Sequence, residues 1–217
     1  MNVTRLRRGL LLIGLATTAW AGEPRNLSAL KAEIVTYVDS GEYLADMRAA
    51  VAPALDFLGA RAARRAPGER LAVVLDIDET VLSNLPQMRA NDFGYLPAMW
   101  DAWVARGEAP VIEPVLAFYK AARAADVEVV FITGRKESDR PGTEKNLKAA
   151  GMGDYAGLWL KPNDGKMTTE QFKTETRRRL QVEGRVIIAN LGDQESDLAG
   201  GFAERTFKLP GPFYQTK

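Results

Sequence analysis

The chain has 217 residues, 46% of them apolar, and 29 lysine plus arginine against 28 aspartate plus glutamate. That is enough to build one domain with a core, and too balanced a charge to single out a nucleic-acid polymer or a membrane surface as partner. There is no cysteine and no histidine, which excludes disulfides, thiolate nucleophiles, Cys-type zinc sites, Ser-His-Asp triads, phosphohistidine intermediates and HExxH metalloproteases and leaves acid–base work to carboxylates, Lys or Tyr.

The first residues read as an export signal. Arg5, Arg7 and Arg8 form a positive start, Gly9 to Thr17 an apolar core, and Ala19-Trp20-Ala21 a small-x-small site, so residues 1–21 are predicted to be removed after Ala21. The apolar core is well short of the ~20 residues that cross a bilayer, and no cysteine follows it to carry a lipid. The expectation is a periplasmic or secreted protein of one domain, residues 22–217, with no stable membrane anchor.

Residues 26–65 have helical periodicity: Leu27, Leu30, Ile34 and Val38 recur on one face, and a second helix from Gly41 carries Met47, Val51, Leu55 and Leu58 before Pro67-Gly68 breaks it. From Leu71 the pattern changes to short apolar runs, Leu71 to Ile77, Val127 to Ile132, Leu158 to Leu160 and Arg185 to Leu191. Helical stretches alternate with them at Glu113 to Ala125, Gly142 to Ala150 and Thr168 to Glu183. This alternation predicts a parallel sheet covered on both faces, with any ligand beyond the carboxyl ends of its strands. Residues 85–110 form an insert rich in Phe93, Tyr95, Met99, Trp100 and Trp103; these could build the insert's own core or stack an aromatic part of a substrate. Arg177-Arg178-Arg179 reads as a solvated helix face.

The first apolar run ends in Asp76-Ile77-Asp78. On a continuing strand, positions i and i+2 share a face, so both carboxylates would stand side by side. Two like charges a few ångströms apart need a cation, or one must keep its proton. Hard oxygen donors without sulfur or imidazole favour Mg²⁺. For an isolated pair the competing reading is a strand cap followed by a turn. Two other runs also end in residues suited to phosphate or metal, Thr133-Gly134-Arg135 and Gly192-Asp193.

Together LDIDETVLSN, FITGR, a lysine at a helix start and NLGDQESDL resemble the four motifs of the haloacid dehalogenase (HAD) superfamily. SGEYLADM and MWDAWVARGEAP narrow the resemblance to its secreted class B acid phosphatase group, which includes plant vegetative storage proteins. The resemblance implies an α/β, HAD-like Rossmannoid three-layer sandwich with a parallel sheet, a small helical cap insert at 85–110 and an N-terminal helical extension. It implies an acid phosphatase hydrolysing small phosphate monoesters, nucleotides among them, with Asp76 as nucleophile forming an aspartyl phosphate. Asp78 would protonate the leaving group and then activate water, starting protonated because of Asp76 and apolar surroundings. Thr133 would hydrogen-bond a phosphate oxygen, Gly134 would let backbone N–H groups approach, and Arg135 would add charge or, equally, be an exposed arginine starting a helix. Lys173 would balance Asp76 and the phosphate, with Lys161 and Lys166 as fallbacks. Asp76, the carbonyl of Asp78, Asp193 and Asp197 would hold Mg²⁺, although an acidic pair four residues apart can also simply complement a helix dipole.

Within the same chemistry, transfer to an alcohol acceptor is an alternative to hydrolysis. From another class, the scaffold could serve as a non-catalytic storage or binding protein. The oligomeric state stays open, a homo-oligomer included.

Overall fold

The computed structural model describes residues 23–216, so the predicted export signal lies outside the described residues. Five parallel strands, β1 (Arg70–Leu75), β2 (Glu128–Lys136), β3 (Gly157–Lys161), β4 (Arg185–Gly192) and β5 (Arg205–Lys208), form one sheet in the order β3-β2-β1-β4-β5. From β1 the chain winds outward through β2 to β3, then returns to the other side of β1 for β4 and β5. The crevice between the ends of β1 and β4 is therefore a topological switch point, the place where such sheets bind ligands.

Alternation along the strands divides the apolar residues between the faces. Leu71, Val73 and Leu75 join Val129, Phe131 and Leu191 in the larger core under α2 (Glu42–Ala62) and α5 (Glu113–Ala124). Val74, Val130, Ile132 and Ile187 face Phe172 and Leu180 of α7 (Thr169–Val182) on the other side. This is the expected α/β sandwich. The predicted N-terminal helical stretch is present as α1 (Leu27–Asp39) and α2, separated at Ser40-Gly41, with Asn26 Oδ1 capping α1 by accepting from Ser28 N at 2.9 Å. No helix among the described residues is long and apolar enough to cross a membrane.

Residues 85–110 carry two short helices, α3 (Leu85–Ala90) and α4 (Pro97–Arg106). Their entry and exit are tied together: Ser83 N donates to Pro110 O at 2.8 Å and Ile112 N to Val81 O at 3.0 Å. The insert rests on α6 (Arg140–Ala149) through a close approach that only glycine permits, since a Cβ on Gly142 would stand 2.1 Å from the backbone oxygen of Val104.

Three local expectations are corrected. The first strand ends at Leu75 rather than Ile77. The edge strand β5 has no counterpart among the predicted runs, because Arg-Thr-Phe-Lys is short and mostly polar, as edge strands are. Arg177 is not on a solvated face: it is fully buried and donates to the carbonyls of Asp197 (2.6 Å), Ala199 and Gly201 (2.9 Å), holding the turn beyond β4. Its neighbours Arg178 and Arg179 are exposed as expected, paired with Glu175 and Glu183.

Candidate active site

The site begins where β1 and β4 end side by side. Asp76 follows β1 directly, and its N–H donates to Leu191 O at 3.1 Å, so the two strands remain joined up to the first functional residue. Helix α7 starts with a reciprocal cap: Gln171 N donates to Thr168 Oγ1 at 3.1 Å and Thr168 N to Gln171 Oε1 at 2.9 Å. One turn in, Lys173 reaches across, its Nζ donating to Asp76 Oδ1 and, at 2.6 Å, to Asp197 Oδ1. Asp193, at the end of β4, receives Gln194 Nε2 on Oδ2 at 2.6 Å and donates its own N–H to Thr80 Oγ1 at 3.1 Å.

One carboxylate oxygen from each of Asp76, Asp193 and Asp197 lies within 4.8 Å of the others, and all three residues are buried. Three carboxylates around one ammonium leave two negative charges uncompensated. Burial, then Asp197, pushes the Asp76 carboxyl well above its usual range, and the same causes in the same order push Asp193 up to about 7. Burial works to lower the Lys173 ammonium, but Asp76 and Asp197 outweigh it and hold the pKa above the usual lysine range. Hard oxygen donors, close spacing and a charge deficit of two are what a divalent cation would satisfy, and the cluster could hold one.

Asp78 lies outside this cluster and has its own cation. Arg135 donates to it from Nη2 (2.7 Å to Oδ1) and Nε (3.0 and 3.2 Å to the two oxygens), while Asn84 Nδ2 donates to Oδ1 at 2.8 Å. The carboxylates of Asp76 and Asp78 are thus drawn to different partners instead of sharing one face, and the surroundings of Asp78 are polar and charged, not apolar. Arg135 is itself buried within β2, donates from Nη1 to Thr143 Oγ1 at 3.1 Å and lies 5.7 Å from the ring centroid of Trp100 in the insert. It is neither exposed nor at a helix start.

Beside Asp78, Glu79 has a positive φ of 56° and is almost fully buried. Its oxygens accept from Asn84 N (2.6 Å), Asn84 Nδ2 (3.0 Å) and Tyr214 Oη (2.9 Å), and burial, then the charge of Asp78, pushes its carboxyl up to about 7. Trp103 completes this corner by donating Nε1 to Asn84 Oδ1 at 2.8 Å.

Above these groups opens a cavity of about 430 Å³, with Asp76, Asp78, Lys173 and Asp193 at its polar end. Phe93, Tyr95 and Trp100 of the insert line it, as do Phe213 and Tyr214.

A family model described as HAD superfamily, subfamily IIIB (acid phosphatase) matches residues 15–217. The chain belongs to this subfamily. Among relatives of the subfamily IIIB chain, Acid phosphatase 1 of Solanum lycopersicum is 39% identical over 147 residues, covering 65% of this chain and 57% of that protein. Vegetative storage protein 1 of Arabidopsis thaliana is 33% identical over 145 residues, covering 65% and 54%. The match thus spans little more than half the length of these relatives. In three dimensions the chain is similar to the class C acid phosphatase from Bacillus anthracis, with a TM-score of 0.70, 25% identity and 86% of each chain covered.

The fold brings Asp76, Lys173, Asp193 and Asp197 of this HAD chain into one buried cluster and sets Asp78 and Arg135 beside it. Lys161 and Lys166 line no part of the cavity; Lys166 is exposed, 3.4 Å from Asp164. Thr133 is fully buried with Oγ1 accepting from Arg135 N at 3.1 Å. Beyond it, where the pairing of β2 with β3 shifts register between Thr133 and Lys136, Gly134, Arg135 and Lys136 line the cavity. The insert's aromatic residues divide: Trp103 belongs to the main core, while Tyr95 is 70% exposed at the cavity. Sequence reasoning missed Glu79, Asn84, Gln194, Phe213 and Tyr214. The first two lie inside the LDIDETVLSN motif, whereas nothing in the spacing of the last residues points back to the strand ends.

Proposed function

We propose that this HAD-family protein is a Mg²⁺-dependent phosphomonoesterase of the acid phosphatase type, acting on small phosphate monoesters such as 5′-nucleotides, with residues 22–217 as one phosphatase unit. The observation that carries this reading is the Asp76–Lys173–Asp197 bridge beside Asp193 at the β1/β4 switch point. A bound Mg²⁺ would stabilise charge on the transferring phosphoryl group. Asp76 attacks phosphorus; the ester P–O bond breaks, the leaving oxygen takes a proton from Asp78, and an aspartyl phosphate forms. In the second displacement Asp78 takes a proton from water, whose oxygen attacks the same phosphorus; inorganic phosphate leaves and Asp76 is restored. Lys173 holds the attacking carboxylate in place and opposes the negative charge that accumulates around it. Arg135 and Asn84 fix Asp78, Gly134 and Arg135 border the phosphate end, and Thr133 supports that edge from beneath. The cavity is within the size range of small-ligand pockets, and its aromatic wall suits a nucleobase or aryl group. Export to the periplasm or medium is supported by Arg5, Arg7, Arg8 and the apolar run after them.

The test is hydrolysis of an aryl phosphate with Mg²⁺ or with EDTA, comparing the wild type with Asp76→Asn, together with mass spectrometry of acid-quenched protein. The expected result is a loss of at least about 10³-fold in the variant, loss of wild-type activity in EDTA, and one added phosphoryl group on the wild type alone. Equal rates for the two proteins would end the assignment of Asp76. A non-catalytic storage role is the second reading, carried by the name of the Arabidopsis relative. Against it stands the desolvation cost of burying three carboxylates and a lysine, which storage does not require.

A further inference from the structure

The last described residues, 209–216, return from β5 and lie directly on the acid cluster. Leu209 N donates to Gly192 O at 2.9 Å, anchoring the segment at the end of β4. Two residues later a Cβ on Gly211 would stand 2.7 Å from the backbone oxygen of Asp193 and 2.9 Å from its Oδ2. Phe213 meets the ring of Tyr43 in α2 edge-on at 5.3 Å, and Tyr214 Oη donates to Glu79 at 2.9 Å. Thr216 N then donates to Gln194 Oε1 at 2.9 Å. The same Gln194 side chain donates Nε2 to Asp193 Oδ2 at 2.6 Å.

The contrast among the three acids gives these contacts their meaning. Lys173 holds Asp76 and Asp197. Asp193 receives its short hydrogen bond from Gln194, whose far end is held by the backbone of Thr216. We propose that segment 209–216 is a positioning element of the cation site: through Gly211, Thr216 and Gln194 it aims the Asp193 carboxylate. Outer-shell partners of this kind orient ligands, and removing one typically costs about 10–100-fold in metal affinity.

This inference rests on the proposed cation at Asp76, Asp193 and Asp197, and the experiment separates the two. Mn²⁺ alone is titrated calorimetrically into the EDTA-treated and dialysed full chain, as wild type, Gln194→Leu, Gly211→Ala and Tyr214→Phe, with melting temperature recorded without metal. Gly211 is not among the positive-φ glycines, so alanine there tests the contact with Asp193 and not the backbone conformation. Gln194→Leu and Gly211→Ala are expected to weaken Mn²⁺ binding about 10–100-fold. Metal-free melting should change little in Gln194→Leu and fall in Gly211→Ala, whose Cβ must displace the backbone oxygen of Asp193. Tyr214→Phe, acting one contact further away, is expected to weaken binding less. Wild-type affinity in a folded Gln194→Leu variant would overturn the positioning role and leave the cation reading intact. Should Gly211→Ala fail to fold, Gln194→Leu and Tyr214→Phe decide alone. A wild type that takes up no Mn²⁺ would remove the cation reading, and the positioning role with it.

Discussion

The two sides of the cavity are built on opposite principles. At the ends of β1 and β4, Asp76, Lys173, Asp193 and Asp197 are buried; Lys173 of α7 holds Asp76 and Asp197, and the adjacent Gln194 holds Asp193. Across from them, the insert offers Tyr95, 70% exposed, and Trp100, joined to the sheet side through Arg135. Buried charges interact strongly and tolerate little displacement, whereas exposed rings can be exchanged at small cost to the fold. Under the proposed function, this difference would put bond making and breaking at the strand ends and choice of the organic group at the insert.

The largest test of this division is Lys173→Met. It leaves three buried carboxylates with no ammonium, so activity should fall about 10²–10³-fold. Metal-free stability should also fall by about 3–5 kcal/mol in chemical denaturation. A stable, active variant would show that the strand-end charges are not interdependent.

Arg135→Met comes next, because Arg135 touches both sides. If it holds Asp78 for proton delivery, hydrolysis of an alkyl phosphate should drop about 10-fold more than that of 4-nitrophenyl phosphate, whose leaving group needs little protonation. An equal drop on both substrates would remove proton delivery through Asp78 from the role of Arg135.

The pH dependence probes the buried side alone. Asp193 is raised in the folded state to about 7 from a usual 3.8, and Glu79 to about 7 from 4.5. The native state therefore holds protons that the unfolded chain has already released, and stability falls as pH rises from about 4 to about 7. Between those limits the metal-free protein should lose on the order of 2–4 kcal/mol through Asp193. Asp193→Asn should make the profile shallower, leaving the part due to Glu79, in denaturant titrations at several pH values, and a profile unchanged by that substitution would remove Asp193 from the account.

The smallest effect is expected on the insert. Tyr95→Ala should raise KM for aryl phosphates by about 5-fold, the worth of one aromatic contact, while leaving glycerol phosphate hydrolysis and melting temperature unchanged. A matching loss in kcat on glycerol phosphate would break the division between the two sides.

Much of this was legible in the chain because it depends on local order. The run from Leu71 into Asp76, the Gly192-Asp193 strand end and the helix start at Thr168 each sit within a few residues, where apolar periodicity and side-chain chemistry set the backbone. The absence of histidine and cysteine narrowed the chemistry on composition alone. Resemblance, not spacing, singled out Lys173, and the fold then brought its Nζ onto Asp76 and Asp197.

What tertiary structure alone decided are the partnerships across long sequence separations. Asp76 and Asp78 are two residues apart yet belong to different charge groups, because Lys173 arrives from α7 and Arg135 from β2. Arg177 and Arg178 are adjacent, but one is buried on the carbonyls that follow Asp197 and the other is solvated. Thr133 is buried with its Oγ1 on Arg135 N, while Gly134, Arg135 and Lys136 just beyond it line the cavity. Segment 209–216 carries no charge pattern that points to Asp193; only the return of β5 alongside β4 brings Gly211 and Thr216 against it. Local sequence determines which groups are available, and the distances that decide their charge states and roles arise only when separate elements pack.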